Sequence, residues 1–159
     1  MDIRIGIGND IHALVENREL WLGSVKIDYN MGLMGHSDAD ALIHAIMDAM
    51  LGALALGDIG KHFPDTDANY KNIESSKLLK KVTALVSEKG YKLSNLDCIV
   101  QCEKPKLTPY RKQMIEKLSK LLDLEQDRIS IKFATNEGFD AVGQGKAISC
   151  QAAVIVFKP

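Results

Sequence analysis

Cysteine is scarce and never paired as C-x-x-C: the 159-residue chain carries three, Cys98, Cys102 and Cys150. That argues against a disulfide-stapled secreted scaffold and against a cysteine-built zinc site. It leaves small buried hydrophobes in a reducing compartment, with the cytoplasm as the expected location. No apolar run reaches membrane-spanning length. The oiliest stretch, Ala41 to Leu56, is broken by His44, Asp48 and Gly52 and reads as a buried helix. The opening MDIRIGIGNDIHAL has an early acid and no continuous apolar core, so it does not read as a signal peptide. Neither charge dominates: 20 basic against 21 acidic residues give a net charge of −1, with no long Lys/Arg run. A nucleic-acid surface is therefore not expected, and an anionic ligand would need local donors or bound cations. Repeats, low-complexity tracts and linkers are also missing, which predicts a single domain over residues 1–159.

What is present is ordinary globular material, 46% hydrophobic and 26% charged, in a chain long enough to bury a core. Ile3, Ile5 and Ile7 alternate with small or polar residues and predict a first strand running toward Asp10 and His12. A second extended segment is expected from Leu20 to Ile27, then a loop from Asn30 to Gly35. Ser37, with Asp40 three residues on, reads as the cap of a helix reaching about Leu56 and stopping at Gly57. The stretch from Gly57 to Tyr70 is rich in Gly, Pro, Asp and Asn and predicts a long loop, a candidate lid. Further helices are expected over Ser76–Lys89 and from Thr108-Pro109 to about Leu122, and strands over Asn95–Cys102, Ile129–Thr135 and Ala147–Phe157. On the Asn95–Cys102 segment, Cys98 and Cys102 share one side. The alternation predicts an α/β (α+β) layered domain, a mixed β-sheet covered by helices.

Asp10 and His12, two apart at the end of a strand, point to one side. Asp40, His44 and Asp48 form a polar stripe at four-residue spacing on an otherwise oily helix, and such a stripe must find partners. One carboxylate and two imidazoles, Asp10, His12 and His44, would suit zinc with a fourth position open. Asp48, one turn from His44, could orient a ligating imidazole. The spacing alone also fits a plainer arrangement, with Asp10 in a turn and His44 a satisfied core histidine.

These residues sit in an ordered series: DIH at Asp10 to His12, GHSDAD at Gly35 to Asp40, His44, LGALALGDIGKHFPDTD at Leu51 to Asp67, KPKL at Lys104 to Leu107, ATNEG at Ala134 to Gly138, and AISC at Ala147 to Cys150. Along essentially its whole length the chain resembles the 2-C-methyl-D-erythritol 2,4-cyclodiphosphate synthase family of the non-mevalonate isoprenoid pathway. The resemblance implies a homotrimer with active sites between subunits. It implies a phosphorus–oxygen lyase that converts 4-diphosphocytidyl-2-C-methyl-D-erythritol 2-phosphate to the 2,4-cyclodiphosphate and CMP. Asp10, His12 and His44 match the family's zinc ligands, and Glu137 matches a carboxylate for a second divalent cation, magnesium or manganese. His36 and Thr135 match positions that stabilise the transition state, with Ser37 beside His36. Ile11, within the DIH triplet, and Asn136, beside Thr135, belong with the substrate contacts.

The same resemblance assigns Asp58, Ile59 and Gly60, then Phe63, Pro64, Asp65, Thr66 and Asp67, to the end of the substrate that carries the methylerythritol phosphate. Cys102, Glu103, Lys104, Pro105, Lys106, Leu107 and Thr108, with Ala134 and Thr135, match the cytidine pocket. Taken singly these residues have plain readings: a helix cap for His36, a strand-end hydroxyl for Thr135, a solvated acid for Glu137, a surface structural role for His62. The ordered set is what points to chemistry. The chain departs from the family pattern at Ala141, where phenylalanine is common, and at Gln144, where arginine is common. Without that forked charge, capture of an isoprenoid diphosphate on the trimer axis is doubtful, and Lys146 cannot reproduce the fork. Two other functions remain open from sequence: a zinc-dependent phosphodiesterase with Asp48 or Asp58 as base, and a non-catalytic trimeric binding module.

Overall fold

The computed structural model describes residues 2–159. A five-stranded sheet is built from β1 (Asp2–Glu16), β4 (Met31–Leu33), β5 (Lys92–Gln101), β6 (Ile129–Ala134) and β7 (Ala147–Lys158), in the order β4-β1-β7-β5-β6. Only β5 and β6 run parallel; the other neighbours are antiparallel. The sheet is mixed, as the alternation of elements predicts. The expected extended segment Leu20 to Ile27 is a separate hairpin, β2 (Leu20–Leu22) and β3 (Val25–Ile27). Gly23 and Ser24 at its tip both take positive φ, 58° and 62°. That two-residue turn matches the twist of the flanking strands and folds the segment back on itself. The neighbouring loop is interrupted too, because Met31 to Leu33 pair with the far end of β1.

The helices α1 (Ala41–Ala53), α3 (Ser75–Glu88) and α4 (Arg111–Leu122) lie on one face of the sheet. Two glycines decide how closely α1 approaches. A Cβ at Gly6 would lie 1.9 Å from the Ala49 carbonyl oxygen, and one at Gly8 would lie 2.0 Å from that of Ala45. Only bare backbone admits the helix there. On the other face of β1, Ile3, Ile5, Ile7 and Ile11 are 61%, 69%, 79% and 53% exposed. The core therefore sits between α1 and the glycine side of β1, continued by Ile148, Cys150, Ala152, Val154 and Val156 of β7. All three cysteines are free thiols buried in it. Burial pushes the Cys98 and Cys102 thiols up, to about 12 and about 11.

Helix α1 starts later and stops earlier than the sequence suggests. Its cap is Asp40 rather than Ser37: Asp40 Oδ1 accepts from the Ile43 N–H at 3.0 Å. At the other end Ala55, at φ 55°, takes the left-handed position that glycine usually fills. The Ala55 N–H then returns to Gly52 O and the Leu56 N–H to Leu51 O. The helix is thus closed before Gly57 is reached. The expected loop beyond is punctuated by short turns, α2 (Ile59–His62) and a 3₁₀ turn at Ala68–Tyr70, capped by Asp58 and Asp67. Near the C-terminus α5 (Asp140–Gly143) is a single turn leading into β7.

Candidate active site

Strand β1 presents alternate residues to α1, and after Gly6 and Gly8 the next two on that side are Asp10 and His12. Both lie within the strand, opposite Cys150 and Ile148 of β7, rather than at its end. The close seating of α1 brings His44 to them. Asp10 Oδ2 is 2.8 Å from His12 Nε2 and 3.1 Å from His44 Nδ1, and the two ring nitrogens are 3.3 Å apart. Zinc with bonds of about 2.0–2.1 Å in tetrahedral geometry sets its donor atoms roughly 3.3–3.4 Å apart, so the three atoms fit that ion with small adjustments. Among the described residues, this is the group of three His, Cys, Asp or Glu side chains whose donor atoms lie within 4.8 Å of one another. The second nitrogen of His12 is engaged as well: Nδ1 lies 2.6 Å from the Met34 carbonyl oxygen. A proton donated there leaves the Nε2 lone pair facing the other two groups.

Electrostatics within the triad favour Asp10 as a carboxylate. Burial alone would push its pKa up, but the hydrogen bonds and charges of His12 and His44 more than offset this and hold it at about 2. For His12, burial works downward, and the neighbouring Asp10 overrides it, so the ring holds a proton more tightly than usual.

The triad forms one wall of a cavity of about 500 Å³. His36 and Ser37 line it from the segment before α1. The opposite side is made by Ile59, Gly60, Phe63, Pro64, Asp65 and Thr66, with Tyr70 and Leu78 behind. Asp58 and Asp67 are turned to capping, accepting from Lys61 N–H and Asn69 N–H. His36 Nε2 meets the Asp67 carbonyl oxygen at 3.2 Å, tying the two walls together. Asp48 does not reach an imidazole. Its Oδ1 accepts the Ile59 N–H at 2.8 Å, so it anchors the far wall, and burial raises its pKa. The partners of His44 Nε2 are instead the hydroxyls of Ser75, at 3.0 Å, and Ser37, at 3.2 Å. Ser75 has no spacing relation to His44; only the packing of α3 against α1 reveals it. His62 bonds the Leu56 carbonyl oxygen and does not line the cavity.

The remaining candidates gather elsewhere. At the ends of the parallel pair β5 and β6, the Cys102 N–H donates to Ala134 O at 2.9 Å. Glu103 accepts the Asn136 N–H at 2.7 Å, and Thr135 Oγ1 donates to Glu137 Oε1 at 3.3 Å. Cys102 Sγ lies 3.1 Å from Lys104 O, curling the segment through Pro105, Lys106 and Leu107 to the turn at Thr108. Ala134, Thr135 and Glu137 are exposed and line none of the cavity that holds the triad. Ile11 faces the opposite side of the sheet from Asp10 and His12. Ala141 and Gln144 are exposed on and just after α5. The chain therefore holds the triad and the Thr135 segment as two separate groups. Strands β7 and β5 separate the triad from the Thr135 segment, three strand spacings or roughly 14 Å apart.

A family model described as the YgbB family matches residues 3–157. The 2-C-methyl-D-erythritol 2,4-cyclodiphosphate synthase of Clostridium perfringens is 51% identical over 156 residues, covering 98% of this chain and 100% of that protein. A solved 2C-methyl-D-erythritol-2,4-cyclodiphosphate synthase in a CDP-bound form has a TM-score of 0.90 and 40% identity, covering 97% of this chain and 100% of that one. The bifunctional IspDF of Campylobacter jejuni has a TM-score of 0.94 and 40% identity; the match covers 98% of this chain and 42% of that longer one.

Proposed function

Since the chain belongs to the YgbB family, whose members include 2-C-methyl-D-erythritol 2,4-cyclodiphosphate synthases, we propose that it closes the cyclic diphosphate of 2-C-methyl-D-erythritol and releases CMP. The substrate is 4-diphosphocytidyl-2-C-methyl-D-erythritol 2-phosphate. An oxygen of its 2-phosphate attacks the β-phosphorus, a new P–O bond closes the ring, and the bond to CMP breaks with its electron pair leaving on CMP. The observation that carries the reading is the Asp10, His12 and His44 triad facing the Ile59–Thr66 wall across one cavity.

The nucleophile belongs to the substrate, so the protein's task is positioning, charge relief and exclusion of water. Asp10, His12 and His44 would hold zinc, which when bound supplies Lewis acidity toward phosphoryl oxygens. Asp65, Thr66 and the Ile59-Gly60 backbone border the end that carries the methylerythritol phosphate, with Phe63 giving an apolar surface. The segment from Gly57 to Tyr70 is the natural cover over the β-phosphorus. Thr135 would donate to the reacting phosphates, and His36 would border them from the segment before α1. Glu137 offers hard oxygens that would suit a magnesium-type ion, which when bound would relieve phosphate charge. The Cys102–Thr108 segment, beside Ala134 and Asn136, receives the cytidine.

Thr135 and Glu137 can act on the same diphosphate as the triad if a neighbouring copy supplies them, and the outward isoleucines of β1 are the apolar surface that would bring copies together. A homotrimer is the arrangement proposed. Phosphorus NMR of the purified protein with substrate, zinc and magnesium tests the reaction. The wild type gives the cyclic product and CMP, and His44→Ala gives neither. CMP with an open bisphosphate would instead identify a phosphodiesterase.

A further inference from the structure

His44 has two ring nitrogens, and the triad uses only Nδ1. What faces Nε2 decides which nitrogen carries the proton, and here the donors and acceptors can be followed to a charged end. Ser75, fully buried as the first residue of α3, lies 3.0 Å from Nε2. Its hydroxyl donates to Asp38 Oδ1 and its backbone N–H donates to Asp38 Oδ2 at 3.0 Å. An ionised carboxylate only accepts, so the hydroxyl proton is committed to Asp38 and the lone pairs of Ser75 are turned to His44. Ser37 Oγ, at 3.2 Å from Nε2, already accepts the Ala39 N–H, and its own proton has Ser75 Oγ within 3.5 Å. Hydroxyl lone pairs aimed at Nε2 require an N–H there. A neutral imidazole carries one proton, so Nδ1 is left as a bare lone pair directed at Asp10 and His12.

We propose that Asp38 and Ser75 form a positioning relay that holds His44 as the Nε2–H tautomer and so presents Nδ1 ready to ligate a metal. The relay rests on reading the triad as a zinc site. It gives α3 a role in the chemistry without touching substrate. It also ties His44 to the segment that closes the cavity, because the Asn72 N–H donates to His36 O and the Asp38 N–H to Ile73 O just ahead of Ser75.

The test reads the tautomer and the metal affinity separately from turnover. In ¹⁵N-labelled, metal-free wild-type protein, long-range ¹H–¹⁵N spectra report His44 protonated at Nε2. An Nδ1–H signal overturns the relay whatever the variants do. In Asp38→Asn the remaining carbonyl oxygen can accept from the Ser75 N–H or the Ser75 hydroxyl, not both. If it takes the N–H, the amide donates to the hydroxyl and reverses the relay. This variant and Ser75→Ala each weaken zinc binding, measured by competition with a chromophoric chelator, by roughly 10–100-fold. Unchanged affinity and an unchanged His44 spectrum alongside a lowered melting temperature would mark Asp38 and Ser75 as merely structural and end the proposal. If Ser75→Ala does not fold, the wild-type spectrum still decides. Failure of the wild type to bind zinc at all would overturn the reading of the triad instead, leaving the tautomer to be judged by the spectrum.

Discussion

At the scale of single residues the triad competes for protons. His12 holds its proton more tightly than a free imidazole because Asp10 faces it, in spite of burial. Asp10 is held at about 2 because burial, which opposes ionisation, is outweighed by its two imidazole neighbours. In the metal-free protein the signs are therefore opposite. The Asp10 contribution to stability is present above the ordinary carboxylate value and is lost as pH falls toward about 2. The His12 contribution is present below the ordinary imidazole value and is lost as pH rises through its raised one. A zinc ion held by the triad would need the His12 lone pair, so below that raised value its binding should weaken by about tenfold per pH unit as one proton is displaced. Chelator competition between pH 5 and 8 checks this; affinity independent of pH would mean His12 is not a ligand. Asp40 makes a different kind of residue-scale prediction. Its carboxylate accepts from Gly23, Ser24 and Ile43 N–H groups at 2.9, 2.7 and 3.0 Å. Asp40→Asn keeps one acceptor oxygen and sets an amide against the remaining N–H, costing about 1–3 kcal/mol in urea unfolding.

At the scale of elements, the distance between α1 and β1 is what makes the site, and two glycines set it. A methyl group on Gly8 would lie 2.0 Å from the Ala45 carbonyl oxygen, one residue from His44. Gly8→Ala must therefore lift the helix. It is expected to cost about 1–3 kcal/mol or more and to weaken zinc binding, whereas Ile7→Val on the outward face leaves both unchanged; chemical unfolding and a zinc titration of the two variants compare them. This element is also where the limits of sequence reading are clearest. Alternation at Ile3, Ile5 and Ile7 identifies a strand, and the i, i+2 spacing puts Asp10 and His12 on one side. Which side the core takes is set by the glycines that let α1 approach, a property of close packing rather than of hydrophobic pattern. The stripe Asp40, His44 and Asp48 is correctly spaced, yet its three members serve a hairpin, the triad and the Ile59 backbone. Helical period fixes a face and says nothing of what packs on it. Ser75 meets His44 across 31 residues of sequence, a distance that no local pattern spans. The cap at Asp40 and the left-handed Ala55 were hidden for another reason: Ser37 and Asp40 cap about equally well by type and Gly57 has a stronger preference than Ala55 for the left-handed position, so tertiary contacts decided both ends.

At the scale of the whole molecule, the sheet separates the triad from the Thr135 segment, and under the proposed trimer its outward face would bring the two together between copies. Ile3, Ile5, Ile7 and Ile11 form an apolar row along one face of β1, between half and four-fifths exposed. Burial of such surface is worth roughly 25 cal/mol per Å², a favourable contribution to association of copies. The triad lies on the other face, behind the backbone of β1, so a charge introduced outward should leave zinc binding intact. Ile5→Asp with Ile7→Asp is expected to shift the sedimenting species from three times the 17.5 kDa chain mass to a single chain. On the proposed shared site, zinc affinity should stay at the wild-type value while turnover is lost, because Thr135 and Glu137 would no longer be supplied by a neighbouring copy. Mixing this double variant with Thr135→Ala would not restore activity, since the isoleucine row is needed on every copy. Mixing His44→Ala with Thr135→Ala in one refolded population should restore part of it, because some assemblies would pair an intact triad with an intact Thr135. A wild-type chain that sediments alone and turns over at full rate would show that a single copy contains the whole site, and the proposed sharing of the site between copies would fall.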